Sequence, residues 1–261
     1  MKVAKVAVLV AVGAQATFAV SLSQNCQSTL AQLVTSSETA CLNAGSLVGL
    51  VVSTQNTSVV STINSWITGL CSQTACSNQT LADVVSNVTS GCQSDLQSAG
   101  INTTASELTP LVQQYYPTAR KAACLADTSN NKTLCVTEVL NNIQSQVGTI
   151  TKDNAQEIAS EIASGSITLG SNVTCTDCTK AVYNLVEQAD PSVASTYNST
   201  VASQCGASFT DGSEPSAITQ TANQNTASNN TSGALSVSAA PIAAVAISSL
   251  VAASSVFALL A

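Results

Sequence analysis

The chain has 261 residues, enough for one large or two small domains, and only 8% of them are charged. Seven basic residues stand against fourteen acidic ones, which gives a net charge of −7 at pH 7. This balance excludes nucleic acid as a partner, because nucleic-acid binding requires a basic patch. The chain contains no histidine, and that excludes Ser-His-Asp catalysis, Cys-His catalysis and histidine-ligated zinc. We therefore expect no enzymatic activity, no metal and no cofactor.

The N-terminus has the pattern of a secretory signal peptide. Lys2 and Lys5 form a short positive region, residues 6–12 are apolar, and Thr17 and Ala19 are the small residues of a cleavage site. The alternative is an uncleaved membrane anchor, but the apolar run is shorter than the roughly 20 residues that a spanning helix needs. The pattern predicts that residues 1–19 are removed.

Ten cysteines follow the signal peptide. An even number of cysteines in an oxidising compartment predicts a disulfide framework, and the spacing leaves its connectivity open. We expect all ten to be oxidised: Cys26, Cys41, Cys71, Cys76, Cys92, Cys124, Cys135, Cys175, Cys178 and Cys205.

Sequons for N-glycosylation point to the same compartment. An Asn-x-Ser/Thr triplet without proline at x is the acceptor, and each occupied asparagine must face solvent. The candidate sites are Asn56, Asn78, Asn87, Asn102, Asn131, Asn172, Asn198, Asn229 and Asn230.

The body of the chain, residues 20–209, has helical apolar spacing rather than alternation. We predict an all-α, single disulfide-stapled domain of about 7–10 helices. Asn78 is a candidate N-cap and Gly148 a candidate C-cap. The clearest apolar stripes fall at 59–71, 81–96, 134–147, 155–163 and 178–186, and weaker helices are predicted at 26–35, 38–51, 111–116, 118–127 and 192–204.

The C-terminal part is predicted to hold no packed structure and to carry a lipid anchor. Residues 210–238 are rich in Ser, Thr and Asn, which is typical of a disordered stalk, and residues 239–261 form an apolar tail. A single-span helix would carry Lys or Arg on its cytoplasmic flank, and no charge follows Glu214. Small residues, a spacer and an apolar tail favour a glycosylphosphatidylinositol (GPI) signal, with Ser232 as the attachment residue and Asn230 as the alternative. The expected partner is the outer leaflet of the plasma membrane.

Three acidic or aromatic features have simple structural interpretations. Glu157 and Glu161 lie one helical turn apart, which suits a solvated helix face better than a glycosidase pair. Asp127-Thr128-Ser129 lacks the Asp-Thr-Gly sequence of an aspartic protease. Trp66 falls on an apolar helix face, so it is predicted to be core rather than a sugar-binding platform.

The cysteine spacing leaves two further alternatives open. Cys175-x-x-Cys178 at a helix start could be a redox pair, because a helix N-terminus lowers thiol pKa, although eight other cysteines favour structural disulfides. The pairs Cys71/Cys76, Cys124/Cys135 and Cys175/Cys178 loosely resemble those of saposin-like lipid-binding domains. There the outer pairs join each other and the middle pair joins itself.

Four stretches carry a resemblance to a family: CSQTACSNQTLADVVSNVTSGCQSDL (71–96), YYPTARKAACLADTSNNKTLCVTEVL (115–140), CTDCTKAVYNLV (175–186) and QCGASFTDGS (204–213). They resemble fungal secreted, cysteine-containing, GPI-anchored glycoproteins of unknown activity. The resemblance covers about residues 71–213. It implies a fungal cell surface, with cell-wall polysaccharide as a further partner, and it brings no catalytic residues.

Overall fold

The computed structural model describes residues 22–48, 57–98 and 100–224, and helices dominate them. This confirms the predicted all-α, disulfide-stapled class. None of the helices in the described ranges is long and apolar enough to cross a membrane. Three 3₁₀ helices lie at Ser37–Leu42, Ala44–Leu47 and Ala207–Thr210. The α-helices are α1 (Gln24–Thr35), α2 (Val60–Ser72), α3 (Asn78–Gly91), α4 (Gln93–Ser98), α5 (Ala105–Ala123), α6 (Cys135–Val147), α7 (Ala155–Ala163), α8 (Ser171–Thr174), α9 (Asp177–Ala189) and α10 (Pro191–Cys205).

A small antiparallel sheet, absent from the sequence prediction, joins distant parts of the chain. It consists of β1 (Leu125–Asp127), β2 (Thr133–Leu134) and β3 (Ile218–Gln220), in the order β2-β1-β3. All three residues of β1 are buried because β1 is the central strand. The prediction of helix for 118–127 is therefore wrong beyond Ala123. A three-residue strand has too few positions to show an alternating pattern.

The segment containing β3 corrects the predicted domain boundary at residue 209. Residues 215–224, which we call the C-terminal strap, pack on the body instead of belonging to the stalk. The Thr221 amide donates to the Cys124 carbonyl at 2.9 Å, and the Asn223 amide donates to the Cys71 carbonyl at 2.7 Å. These bonds satisfy backbone amide groups of a segment that carries few large apolar side chains. Residues 225–238 of the predicted stalk and the apolar tail lie outside the described residues.

Helix α5 replaces two predicted helices. It is continuous across Pro110 and Pro117, although each proline removes one backbone hydrogen bond. A capping box starts the helix: Glu107 accepts from the Thr104 amide at 2.8 Å, which lowers the pKa of that carboxyl. Tyr116 ties the helix to its neighbour, because its hydroxyl accepts from the Cys76 amide at 3.0 Å.

Three other helix boundaries also differ from the prediction. The stripe over 81–96 is two helices, α3 and α4, because α3 ends at Gly91. Ser77, not Asn78, is the N-cap of α3, and its hydroxyl accepts from the Thr80 amide. The helix predicted over 38–51 is two 3₁₀ turns in its described part, separated by Asn43 in the left-handed conformation. Gly148 follows α6 as predicted, with φ of 89°.

The largest buried cluster among the described residues consists mainly of aliphatic side chains, most of them from the middle of the chain. Ile63 and Ile67 of α2 belong to the same cluster as residues of the sheet, of α7 and of the strap. Only 3% of the chain is aromatic, so each core side chain buries little area and covalent links add proportionally more stability. The cluster comprises Leu47, Val59, Ile63, Ile67, Cys71, Cys124, Ala126, Leu134, Ile150, Ile158 and Ala222.

Candidate functional site

The ten cysteines form five disulfide bonds and none is free, as predicted. The bonds fall into two groups that do not overlap in sequence. A first disulfide unit, residues 26–124, holds three of them, and a second disulfide unit, residues 135–205, holds two. The pairs are Cys26–Cys92, Cys41–Cys76, Cys71–Cys124, Cys135–Cys178 and Cys175–Cys205.

These pairings differ from those of the two cysteine alternatives. Cys175 and Cys178 do not bond to each other, so the Cys-x-x-Cys spacing forms no redox disulfide. Cys124 and Cys135, the middle pair of the saposin-like pattern, also bond to different partners. The connectivity therefore differs from the saposin arrangement, in which the middle pair joins itself.

Helices α1 and α3 run antiparallel and form the walls of a cleft. Cys26–Cys92 closes one end and Cys41–Cys76 closes the other. At the Cys26 end the helices touch at Gly91, where a Cβ atom would come within 2.6 Å of the Thr29 Cβ. Glycine is required at this crossing because any side chain would force the helices apart.

A second clamp holds the same closed end. The Ser23 hydroxyl, the N-cap of α1, accepts from the Cys26 amide at 3.2 Å and donates to Asp95 of α4 at 2.7 Å. The Ser23 amide also donates to Asp95, at 2.7 Å. These two hydrogen bonds lower the pKa of the Asp95 carboxyl, and they fix the start of α1 about four residues after the predicted cleavage site.

The cleft has a volume of about 270 Å³, and most of the residues that line it are polar. Hydroxyl and amide side chains line both walls, and Glu38 and Asp83 add two carboxylates. Leu33 and Val84 are the aliphatic residues of its lining. Polar and apolar surface contribute almost equally to the area of this lining, so the cleft offers many hydrogen-bonding groups beside aliphatic surface.

The described sequons lie mostly at the surface. Five of the asparagines are exposed and Asn198 is half-buried, whereas Asn56, Asn229 and Asn230 lie outside the described residues, as does the predicted anchor residue Ser232. The exposed asparagines are spread over α3, the segment before α5, the β1–β2 turn and α8. Asn131 takes a left-handed conformation in that turn, with φ of 53°, which asparagine tolerates well. The exposed asparagines are Asn78, Asn87, Asn102, Asn131 and Asn172.

A lysine, a carboxylate and a serine meet beside α9. The Lys180 ammonium donates to Asp211 at 2.9 Å, to the Ser213 hydroxyl at 2.8 Å and to the Ser208 carbonyl at 2.6 Å. The Ser213 hydroxyl donates to Asp211 at 2.6 Å. Hydrogen bonds from Ser213 and from Lys180 hold the pKa of the Asp211 carboxyl far below its usual range.

This cluster has the residue types of a Ser-Lys catalytic pair but not its proton arrangement. A general base needs a free lone pair, whereas the three N–H groups of Lys180 are all donated beside a carboxylate. The Ser213 proton is directed to Asp211 and not to the lysine. The cluster therefore fastens residues 208–213 to α9.

The other acidic candidates also have structural roles. Asp127 is buried and accepts from the Ser129 amide at 2.7 Å, so the Asp127-Thr128-Ser129 motif starts the β1–β2 turn. Glu157 is exposed on α7 and Glu161 is half-buried there. Trp66 is partly buried against the central cluster and its indole N–H donates to the Leu42 carbonyl at 2.8 Å, as a core position predicts.

Arg120 holds distant segments together, a role that the sequence prediction missed. The residue is 7% exposed, and its guanidinium donates to the carbonyls of Gln73 and Asn223, at 2.5 and 3.3 Å. It therefore joins α5, the end of α2 and the C-terminal strap. Its residue type could have indicated this role. Arg120 is the single arginine of the chain, and arginine is suited to be a buried cation that donates several hydrogen bonds.

Comparison with known proteins adds no relative. A scan against protein-family models and searches of curated proteins and of solved structures found no match to this chain.

Proposed function

We propose that this chain is a GPI-anchored glycoprotein of a fungal cell surface, with a structural or interaction role and no enzymatic activity. The observation that supports it most is the pairing of all ten cysteines. Disulfides of this density form and persist in an oxidising, extracellular compartment. The signal-peptide pattern of residues 1–19 supports the same location.

The sequons support the glycoprotein part of the proposal. A glycan needs a solvent-facing asparagine, and five of the described acceptors are exposed on different elements. Glycans would supply the hydrophilic surface that the chain lacks in charge, because only 8% of its residues are charged.

The C-terminal strap limits how far the body can lie from the anchor. If the lipid is attached at Ser232, residues 225–232 alone connect the strap to it. Eight residues span at most about 29 Å when fully extended. The proposed tether is therefore much shorter than the stalk that composition suggests. The side of the body where the strap ends then faces the outer leaflet or the inner wall polysaccharide.

Release by a phosphatidylinositol-specific phospholipase tests the anchor. We expect the full-length chain, expressed in a fungal host, to move from the membrane to the supernatant after treatment. Mass spectrometry of the C-terminal peptide should place the glycolipid on Ser232 or, as the alternative, on Asn230. Ser232→Leu should reduce anchoring, because the attachment site requires a small residue, whereas Ser236→Leu in the spacer should not. An intact peptide reaching Ala261 on the mature protein would contradict the proposal.

A further inference from the structure

The position of Asn87 in the α1–α3 cleft points to the occupant of that cleft. The α3 residues that line it are Thr80, Asp83, Val84, Asn87 and Ser90. Their spacing of three and four places them on one face of the helix, and Asn87 lies between the others. Asn87 is exposed and is the first residue of an Asn-Val-Thr sequon. A glycan on this side chain starts from the wall of the cleft.

We infer that the α1–α3 cleft holds the first sugars of an N-glycan attached to Asn87. The inference rests on the proposed secretion and glycosylation of the chain. The donor is a lipid-linked oligosaccharide of the secretory compartment: Nδ2 of Asn87 bonds to C1 of the first sugar, the bond from C1 to the polyprenyl diphosphate breaks, and Nδ2 loses a proton.

The chemistry of the lining fits N-acetylhexosamine rings. Their hydroxyl groups donate to carboxylates and accept from hydroxyl and amide side chains. The opposite wall supplies such groups in Thr29, Gln32 and Ser36, and the carboxylates of Glu38 and Asp83 lie beside them. A sugar held there by its covalent bond loses little further entropy on packing, because attachment has already fixed its position.

Asn78 provides a matched control on the same helix. It is exposed and begins a sequon, but it is not part of the cleft lining. Nine residues separate it from Asn87, and at about 100° per residue this places the two side chains on opposite faces of α3. Its carbonyl accepts from Gln113 of α5 at 2.8 Å, which confirms that this end of the helix adjoins α5.

Enzymatic deglycosylation of the native secreted protein tests the inference within one molecule. A peptide:N-glycosidase cleaves at the asparagine–sugar bond, so sugars packed in the cleft should slow it. We expect release from Asn87 to be about tenfold slower than from Asn78 in the folded protein, and the rates to become similar after reduction and denaturation. Site-resolved mass spectrometry with an oxygen-18 label measures both rates. In addition, Asn87→Gln should lower the midpoint of thermal unfolding more than Asn78→Gln.

The outcomes separate this inference from the proposed function. Equal native release rates at Asn87 and Asn78 would overturn the inference and leave the glycoprotein standing. If Asn87 were unmodified while other sequons carried glycans, the inference would likewise fail and the glycoprotein proposal would stand. A secreted protein without any glycan would overturn both.

Discussion

The two disulfide units are fastened differently, although both are helical. The first unit, residues 26–124, has three disulfides, and its Cys71–Cys124 bond lies in the central cluster with both cysteines buried. The second unit, residues 135–205, has two, and the cysteines of its Cys175–Cys205 bond are only half-buried. The first unit is therefore stapled through its core and the second partly along its surface.

No disulfide joins the two units; the contacts between them are noncovalent. The Val59 amide donates to the Ile150 carbonyl at 3.0 Å, and the Thr137 hydroxyl donates to the Asn64 side chain at 2.7 Å. The strap adds a further link, because Ile218 packs on the second unit while Asn223 binds the first. Disulfides therefore fix each unit internally, whereas the relative position of the units depends on a shared apolar cluster and on the strap.

Removal of the central disulfide is expected to have the largest effect. For Cys71→Ala with Cys124→Ala, the loss of a loop constraint over a separation of 53 residues costs about 4 kcal/mol of unfolding free energy. The cavities that the two missing sulfur atoms leave in the core lower the unfolding free energy by about 1 kcal/mol more. Denaturant unfolding of the secreted chain measures the total.

The matched control is the surface disulfide of the second unit. Cys175→Ala with Cys205→Ala removes a constraint over 30 residues and leaves no comparable core cavity, so we expect a loss of about 3.5 kcal/mol. Equal losses for the two double variants would contradict the distinction between core and surface stapling.

Arg120 tests the strap. Arg120→Met keeps the aliphatic stem but removes the donors to Gln73 and Asn223, and we expect a loss of about 2 kcal/mol. Limited proteolysis should cut the strap of this variant first, because its C-terminal end has lost a clamp. Lys121→Met is the control, since Lys121 is exposed and meets the strap through its backbone carbonyl, which accepts from Gln220. Undiminished protection of the strap in Arg120→Met would show that β-pairing and the backbone bonds of Thr221 and Asn223 hold it without this arginine.

The sequence predicts the longer helices well because their apolar residues repeat with the helical period. Residues 59–71 and 155–163 illustrate this, since both correspond closely to α2 and α7. The same pattern fails for α5, because prolines such as Pro110 and Pro117 normally end helices. Only tertiary contacts, such as that of Tyr116 with Cys76, show that the helix continues.

The features that join distant residues could not be predicted. Ten cysteines allow many pairings, and their spacing does not distinguish them. The cleft depends on an antiparallel arrangement of α1 and α3 that only the Cys26–Cys92 and Cys41–Cys76 bonds reveal. The strap looks like a linker by composition, and its hydrogen-bonding partners, such as the Cys124 carbonyl and the Arg120 guanidinium, lie more than 90 residues away in sequence.

The smallest expected effect concerns acid stability at Asp211, which fastens residues 208–213 to Lys180 of the second unit. Bonds from Ser213 and Lys180 lower the pKa of this carboxyl, so the folded state favours its ionised form. Its contribution to stability is complete above the ordinary pKa of 3.8 and is lost as the pH falls through the lower folded-state pKa. We expect Asp211→Asn to melt at a lower temperature than the parent chain at pH 6, and this difference to shrink steadily below about pH 4. Asp153→Asn is the control, because the Lys152–Asp153 pair joins adjacent residues, one half-buried and one exposed, and should contribute little at any pH. A difference for Asp211→Asn that stayed constant down to pH 2 would mean that the carboxylate charge does not hold residues 208–213 against α9.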